Sequence, residues 1–357
     1  MLLTQEQRQR HNAFWERTNT DRAVINAVHW KGEGSFPAPA SLEQQWLDLD
    51  YRVQAGLAAR DNTEYFLEGF PFGDTAFGPG SLAAVLTGFY KLGAQTIWFE
   101  EAPPYITDYE DMPPLVLDTN SDIYRMTDEL TDRMLAHADK LVSFITDIGG
   151  TYDIMASLRG TDQLLYDLYD HPDEVKALRD RIAPLWAAWF RHLSGKLIAG
   201  QGGMTSWLQL WSELPFYPLQ CDFSAMISPA MFEEFILPDL KEQTELMPRS
   251  IYHLDGPGEI RHLDLLLSLP RLSAIQWVPG SGASTSYDPC WYELFARIQK
   301  AGKGLVLNEA LPADGVEEFL RHVPQRGLYM TVAVRDAQEA AEIAAMAVRL
   351  NRETQRG

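Results

Sequence analysis

The hydrophobic pattern from about residue 120 onward alternates short apolar, β-rich runs with segments of helical period, which is typical of parallel βα units. The candidate strands of this region lie at residues 140–148, 204–210, 222–227, 250–254, 273–278, 304–308 and 327–332. An earlier run at residues 64–67 supplies an eighth strand. The alternation therefore predicts an α/β fold in which strands and helices follow each other along the chain.

The helices between these strands carry clearer sequence signals than the strands themselves. Ser228 followed by Pro229 is typical of an N-cap with proline at the first helical position, and residues 288–289 repeat the arrangement. A capping-box pattern at residues 336–339 begins the last helix. Apolar side chains at helical spacing over residues 173–197 predict a long amphipathic helix outside the sheet.

Eight strand–helix units either close into a barrel or lie open in a doubly wound sheet. Open sheets that bind dinucleotides ordinarily carry G-x-G-x-x-G after the first strand, and the chain contains neither that motif nor a Walker A loop. We therefore expect a (β/α)₈ TIM barrel. No repeat or linker divides the sequence, so the simplest partition is an N-terminal helical extension at residues 1–60 packed on a barrel at residues 61–357.

Charge and composition exclude several classes of protein. The 357 residues carry a formal net charge of −20, from 30 basic and 50 acidic side chains, which disfavours a nucleic acid or an anionic membrane as partner. No apolar window approaches the roughly 20 residues that cross a bilayer, and the start of the chain lacks the apolar core of a secretory signal. We expect a cytoplasmic protein. Cys221 and Cys290 lack C-x-x-C spacing, which favours free thiols.

Barrel enzymes carry their active sites at the carboxyl ends of the strands, so polar residues just after each apolar run are candidates for chemistry. His253 and Asp255 are the strongest pair, because alternate residues of a strand project to the same side. An imidazole beside a carboxylate binds a metal, transfers a proton or holds a substrate hydroxyl or amine. The alternative is that Asp255 only fixes the tautomer of His253 or caps the turn at Gly256. We assign both residues as catalytic and as candidate ligands of a divalent metal such as zinc.

Glu309 ends the run at residues 305–308 and is the third catalytic candidate, either as a metal ligand or as a general acid or base. The alternative is a charge that complements a helix dipole. The candidates for substrate binding, all polar or aromatic residues near predicted strand ends or in a glycine- and proline-rich loop, are Asp74, Asp153, Arg159, Trp207, Trp211, Asp222, Tyr252 and Trp277. Tryptophan faces suit a sugar, a tetrapyrrole or a quaternary ammonium, with core packing as the alternative.

Several segments resemble the uroporphyrinogen decarboxylase superfamily, which includes corrinoid-dependent methyltransferases. Residues 227–240, ISPAMFEEFILPDL, are similar to the superfamily's helix ISPxxFxEFxxPxxK, and the strand that follows ends in His253-x-Asp255-Gly256. Residues 20–24 resemble the superfamily's opening segment. Residues 78–80 and 96–100 resemble a subgroup often labelled trimethylamine corrinoid protein.

The resemblance implies a (β/α)₈ barrel with its pocket at the carboxyl ends of the strands. The superfamily's zinc methyltransferases bind zinc through His-x-Cys and a later cysteine, whereas this chain has Asp255 at the second position and no cysteine at residues 330–334. A thiolate site is therefore absent, and a bound metal would have nitrogen and oxygen ligands. The decarboxylases gather a polyanionic tetrapyrrole with an arginine-rich N-terminal segment, where this chain has only scattered arginines.

These observations favour methyl transfer that involves a small methylated substrate or a corrinoid carried by a partner protein. Two alternatives stay open: a lyase, hydrolase or isomerase that uses general acid–base chemistry on a small polar, carbohydrate-like molecule, and a ligand-binding barrel without catalysis. Barrels of the superfamily commonly dimerise, so the resemblance also implies a homodimer.

Overall fold

A computed structural model describes residues 2–32, 34, 36–280 and 282–354 of the chain. The strands are β1 (Val24–Trp30), β2 (Thr63–Leu67), β3 (Phe72–Gly73), β4 (Lys91–Leu92), β5 (Ile97–Trp98), β6 (Val142–Ser143), β7 (Phe216–Leu219), β8 (Arg249–Asp255), β9 (Ala274–Val278), β10 (Gly304–Pro312) and β11 (Leu328–Ala333). The α-helices are α1 (Gln5–Glu16), α2 (Leu42–Trp46), α3 (Leu49–Asp61), α4 (Leu82–Thr87), α5 (Asp122–Leu135), α6 (Thr151–Arg159), α7 (Thr161–Asp170), α8 (Pro172–Gln201), α9 (Pro229–Met231), α10 (Leu237–Leu246), α11 (Leu263–Ser268), α12 (Tyr292–Lys300), α13 (Val316–His322) and α14 (Ala337–Thr354). None of these helices is long and apolar enough to cross a membrane.

The central sheet has seven strands in the order β2-β1-β11-β10-β9-β8-β7, and all neighbours are parallel except β1 and β2. Two smaller sheets pair β3 with β6 and β4 with β5. The expected α/β fold is confirmed as a mixed α/β architecture with a mostly parallel central sheet. A closed barrel is not confirmed, because among the described residues no strand pairing joins β7 to β6 or β3 to the central sheet.

The strand predictions at residues 250–254, 273–278, 304–308 and 327–332 are confirmed as β8, β9, β10 and β11. The run at residues 64–67 forms β2, although it lies antiparallel at the sheet edge. Residues 24–30 of the predicted N-terminal extension form β1, which lies between β2 and β11. The division of the chain at residue 60 stays a prediction.

Three strand predictions need correction. Within residues 140–148 only Val142–Ser143 is a strand. The run at residues 204–210 makes only isolated bridges, because Gln209 adopts a positive φ of 57° and the chain returns so that Met204 pairs with Ser212. The run at residues 222–227 is a 3₁₀-helix, Asp222–Met226, and the strand precedes it as β7.

The predicted helix starts are confirmed in the described residues. The Ser228 side chain accepts a hydrogen bond from the Met231 backbone at 3.3 Å, and Asp336 accepts one from the Glu339 backbone at 2.9 Å. The helix after Ser228 passes through a π-helical turn, Phe232–Ile236, just before Pro238, whose missing N–H cannot continue the α-helical pattern. The amphipathic segment at residues 173–197 lies within α8.

The amino ends of the parallel strands are covered by α1 and the chain that follows it. Arg22 donates hydrogen bonds to both carboxylate oxygens of Glu68, at 2.8 and 2.6 Å, in a buried ion pair. His11 lies against the Glu68 carbonyl, and burial lowers the pKa of His11 to about 4, so the ring is neutral at pH 7. Polar side chains at the opposite, carboxyl edge of the sheet are therefore the ones left open to a ligand.

Candidate metal centre and adjoining cavity

Three side chains that can bind a metal meet at the carboxyl edge of the central sheet. His253 and Asp255 occupy alternate positions of β8, and Asp222 begins the 3₁₀-helix that follows the neighbouring strand β7. One ligand atom from each of the three residues lies within 4.8 Å of the other two. His253 and Asp255 are half-buried and Asp222 is exposed. The alternation predicted for His253 and Asp255 thus brings them together, and Asp222 joins them from the adjacent turn.

A hydrogen-bonded row across three strands orients His253. The Nδ1 atom of His253 lies 2.6 Å from Oε1 of Gln276, and Nε2 of Gln276 donates to Oδ1 of Asn308 at 2.6 Å. Because an amide oxygen only accepts, the Nδ1 atom carries the proton in this arrangement, and Nε2 of His253 keeps its lone pair. A histidine held in this way through its second nitrogen is typical of metal ligands.

Three further acidic side chains surround the cluster of Asp222, His253 and Asp255. Asp147 accepts hydrogen bonds from Tyr217 and Gln220, both at 3.2 Å. Asp153, on α6, accepts from the Phe223 backbone through Oδ1 at 2.9 Å. Glu259 is 1% exposed and accepts from the Asp255 backbone at 3.3 Å. These residues bring five carboxyl groups around one imidazole.

The carboxyl groups raise one another's pKa. Burial raises the pKa of Asp147 to about 6, and burial followed by the charge of Asp222 raises the pKa of Asp153 to about 8. The same two causes raise the pKa of Glu259 to about 10, and desolvation also raises the pKa of Asp222. The electrostatic interaction with His253 opposes the rise in the pKa of Asp147 and of Asp222. A bound cation would therefore be stabilised by the acidic groups of this site.

The donor set fits a divalent cation. One imidazole nitrogen and two carboxylates form a nitrogen and oxygen environment that suits zinc, manganese or iron, and excludes the thiolate site of the resembled zinc enzymes. Two buried carboxyl oxygens nearby, Oδ2 of Asp153 and Oε1 of Glu259, have no hydrogen-bond partner in the described part of the chain. A bound cation would compensate this concentration of acidic groups.

A cavity of about 400 Å³ adjoins the cluster and is called here the acidic cavity. Its walls come from the segment before α4, from β5 and the segment after it, from α6 and from the turn after β7, and include Trp98, Glu100, Asp153, Asp222, Phe223 and Met226. Asp222 belongs both to the cavity wall and to the metal-capable cluster. A molecule in the acidic cavity would therefore lie directly beside that cluster.

A second cavity, of about 370 Å³, lies beside Glu309, the third predicted catalytic residue. The backbone and the hydroxyl of Ser286 donate hydrogen bonds to Glu309 Oε2 at 2.8 and 2.7 Å. A bulge between Leu307 and Ala310 turns Asn308 and Glu309 out of the regular register of β10. The carboxylate thus holds the loop before α12 and is not a member of the metal-capable cluster.

The remaining predicted binding residues have different surroundings. Asp153 and Asp222 line the acidic cavity, whereas Asp74 is exposed in the turn before α4 and lies 3.5 Å from Arg52. Arg159 pairs with Asp167 at 2.7 Å. The guanidinium also donates to two backbone carbonyls and lies 4.7 Å from the Tyr109 ring centroid. The polar groups of Arg159 are therefore occupied by contacts within the protein.

The aromatic candidates lie mostly in the core. Trp277 is fully buried against Trp291, at 4.8 Å between ring centroids, and Tyr252 is buried with its hydroxyl 3.4 Å from Glu259. Trp211 packs with Phe70 and Val142 near the amino ends of the strands, away from the cluster. Trp207 is half-buried and contacts Tyr217 edge to face. None of these four rings lines the acidic cavity.

Sequence reasoning missed three residues of the site. Gln276 is the polar residue of an otherwise apolar strand, which is a signal that could have found it. Asp147 ends the apolar run that begins at Leu141, so the strand-end rule applied elsewhere would have found it too. Glu259 lies in the turn after Asp255, and only its burial in the folded chain reveals it.

Comparison with known proteins shows what fold the chain has and no finer property. No protein-family model matches the chain, and no curated protein matches its sequence. Among solved structures, a methyltransferase from Methanosarcina mazei superposes with a TM-score of 0.60 at 9% sequence identity, over 98% of this chain and 99% of that one. The chain therefore shares its overall fold with that enzyme. The comparisons give no support to the lyase, hydrolase or isomerase alternative.

Proposed function

We propose that the chain is a metal-dependent enzyme of the methyltransferase type, of the uroporphyrinogen decarboxylase superfamily, that takes a methyl group from a small substrate. The main observation in support is that one ligand atom from each of Asp222, His253 and Asp255 lies within 4.8 Å of the other two, beside a cavity of about 400 Å³. The shared fold with a methyltransferase supports the reaction class. In this proposal β3 and β6 complete the parallel strands into a barrel-like ring, and the site lies at its carboxyl face.

Each residue of the site has a distinct task in this proposal. Nε2 of His253 and the carboxylates of Asp222 and Asp255 would hold the metal, which would supply Lewis-acid polarisation to an oxygen, nitrogen or sulfur atom of the substrate that has a free lone pair. Gln276 keeps the proton on Nδ1 of His253. Asp153 lines the acidic cavity and its Oδ2 has no hydrogen-bond partner among the described residues, so it is the group placed to give a proton to the departing heteroatom.

The methyl acceptor in this proposal is a corrinoid carried by a partner protein. The resemblance to corrinoid-dependent methyltransferases supports this choice, and so does the opening of the site at the carboxyl edge of the sheet, since the amino edge is closed by α1 and the Arg22–Glu68 ion pair. The same resemblance supports a homodimer. The substrate is a small methylated molecule that fits the acidic cavity.

The test is methylation of reduced cobalamin under anoxic conditions by the zinc- or manganese-loaded protein. A panel of methanol, methylamines, dimethyl sulfide and methoxybenzoates serves as methyl donors, and the visible absorbance of methylcobalamin is the readout. We expect metal-dependent methylation with at least one donor, its loss in His253→Ala, and its retention in the control His192→Ala on the exposed side of α8. Failure of the metal-loaded protein to methylate cobalamin with any donor of the panel would contradict the proposal.

A further inference from the structure

We propose that the acidic cavity binds a small organic cation that carries methyl or methylene groups, such as a tertiary or quaternary ammonium. As the identity of the methyl donor, this inference rests on the function proposed above, although binding itself is independent of turnover. The argument uses the charge of the cavity wall, its aromatic and thioether surface, and its position beside Asp222.

The cavity wall selects for positive charge. The carboxylates of Glu100 and Asp222 and the protonated carboxyl group of Asp153 line it from three separate elements, and no lysine, arginine or histidine is among the described residues that line it. Arg159, at the end of the helix that carries Asp153, is committed to Asp167 at 2.7 Å. An anionic ligand would meet acidic groups and no basic side chain with which to pair, so phosphates and carboxylic acids are disfavoured.

Apolar side chains left open to solvent at the same cavity suit the substituents of such a cation. Trp98, on the β4–β5 hairpin, is 58% exposed, and Met226 is 50% exposed. Phe223 contributes a buried ring to the wall. A cation over an indole face gains cation–π attraction, and its methyl groups bury against Met226 and Phe223. Inorganic cations and strongly hydrated ammonium ions gain little from such a wall.

The position of the cavity relates the ligand to the metal-capable cluster. Asp222 lines the cavity and lies within 4.8 Å of ligand atoms of His253 and Asp255. At another part of the wall, the Glu100 carboxylate accepts a hydrogen bond from the Thr161 hydroxyl at 3.3 Å, which holds it in place. A methylated ammonium held against Glu100 and Trp98 lies in the same cavity as Asp222, so its substituents face the proposed site of transfer.

The experiment measures binding, not turnover, by calorimetry on the full chain near neutral pH. The probe is choline, and its uncharged carbon isostere 3,3-dimethylbutanol is the matched neutral ligand. We expect choline to bind about tenfold or more tightly than the isostere. We expect Trp98→Ala and Glu100→Gln each to weaken choline binding several-fold. The control Trp30→Ala removes an exposed tryptophan that does not line this cavity and should leave binding unchanged.

Equal binding of choline and the isostere, no binding of either, or full choline affinity in the Trp98→Ala/Glu100→Gln double variant would overturn the inference. Thermal unfolding of the folded variants separates loss of binding from loss of structure. Choline binding with the expected selectivity, together with no methylation of cobalamin by any donor, would overturn the proposed reaction while leaving the cation site in place. The two failures are therefore distinguishable.

Discussion

Nδ1 of His253 lies 2.6 Å from Oε1 of Gln276, its partner across the parallel strands β8 and β9. This contact decides which nitrogen of the imidazole is free to bind a metal, because the second nitrogen keeps its lone pair only while the first carries the proton. Gln276 is held in turn by Asn308 at 2.6 Å. The orientation of the histidine is thus a property of three neighbouring strands.

Replacing Gln276 tests that orientation. We predict that Gln276→Ala lowers the affinity for zinc by about 10- to 100-fold, since removal of a hydrogen-bond partner behind a ligand typically has that effect. Competition with a chelating dye measures the affinity. The control Gln338→Ala, on the exposed side of α14, should bind zinc like the wild type. Unchanged affinity in Gln276→Ala would show that the row does not orient the ligand.

Arg159, predicted from the sequence to bind substrate, is expected to act on stability instead. Arg159→Ala leaves the fully buried Asp167 carboxylate without its partner, which should cost about 3 kcal/mol of unfolding free energy. Urea denaturation measures the loss, and Arg125→Ala, from an exposed pair with Asp122, should cost less than about 0.5 kcal/mol. Unchanged stability of Arg159→Ala would contradict this structural role.

Glu309 is expected to support a loop and not to ligate the metal. Glu309→Gln alters the acceptor of two hydrogen bonds from Ser286, so we predict a loss of about 1 kcal/mol in stability and no change in bound metal. Chemical denaturation and elemental analysis of the same preparation give both quantities. Loss of metal at unchanged stability would restore the catalytic role predicted from the sequence.

Asp239 lies on α10, outside the candidate site, and its burial leads us to predict that stability depends on pH. Burial raises the pKa of Asp239 to about 7, and its Oδ1 has no hydrogen-bond partner among the described residues. Between about pH 4 and pH 7 the unfolded chain loses this proton while the folded chain keeps it, so stability falls as the pH rises through that window. Asp239→Asn removes this loss.

We therefore expect the stability of Asp239→Asn relative to wild type to increase from pH 4 to pH 8, by at most about 4 kcal/mol. Urea denaturation at several pH values measures the difference. Parallel pH profiles for the two proteins would show that Asp239 titrates alike in the folded and unfolded chains.

The sequence predicts the later strands well because β8, β9, β10 and β11 are apolar runs between clear helix signals. It does not predict β7, since Pro218 lies in the middle of that strand and proline normally argues against an interior strand. Residues 204–210 have a strand-like composition, but the left-handed conformation of Gln209 ends the extended segment. These differences are set by tertiary contacts that composition does not encode.

The residues of the candidate site also differ in how well the sequence predicts them. The strand alternation of His253 and Asp255 is sufficient to place them together, because side-chain direction repeats every two residues. Asp222 is predicted as a site residue from a strand that does not exist, and it reaches the cluster from a 3₁₀-helix. Glu259 has no local sequence signal, since its relevance depends on burial beneath residues distant along the chain.

Elemental analysis tests the central claim that Asp222, His253 and Asp255 hold a divalent cation. The protein is equilibrated with zinc or manganese, freed of loose metal by gel filtration, and compared with the folded variant His253→Ala/Asp255→Asn. We predict about one equivalent of metal per wild-type chain and less than about one tenth in the variant. Equal metal content in both proteins would contradict the account.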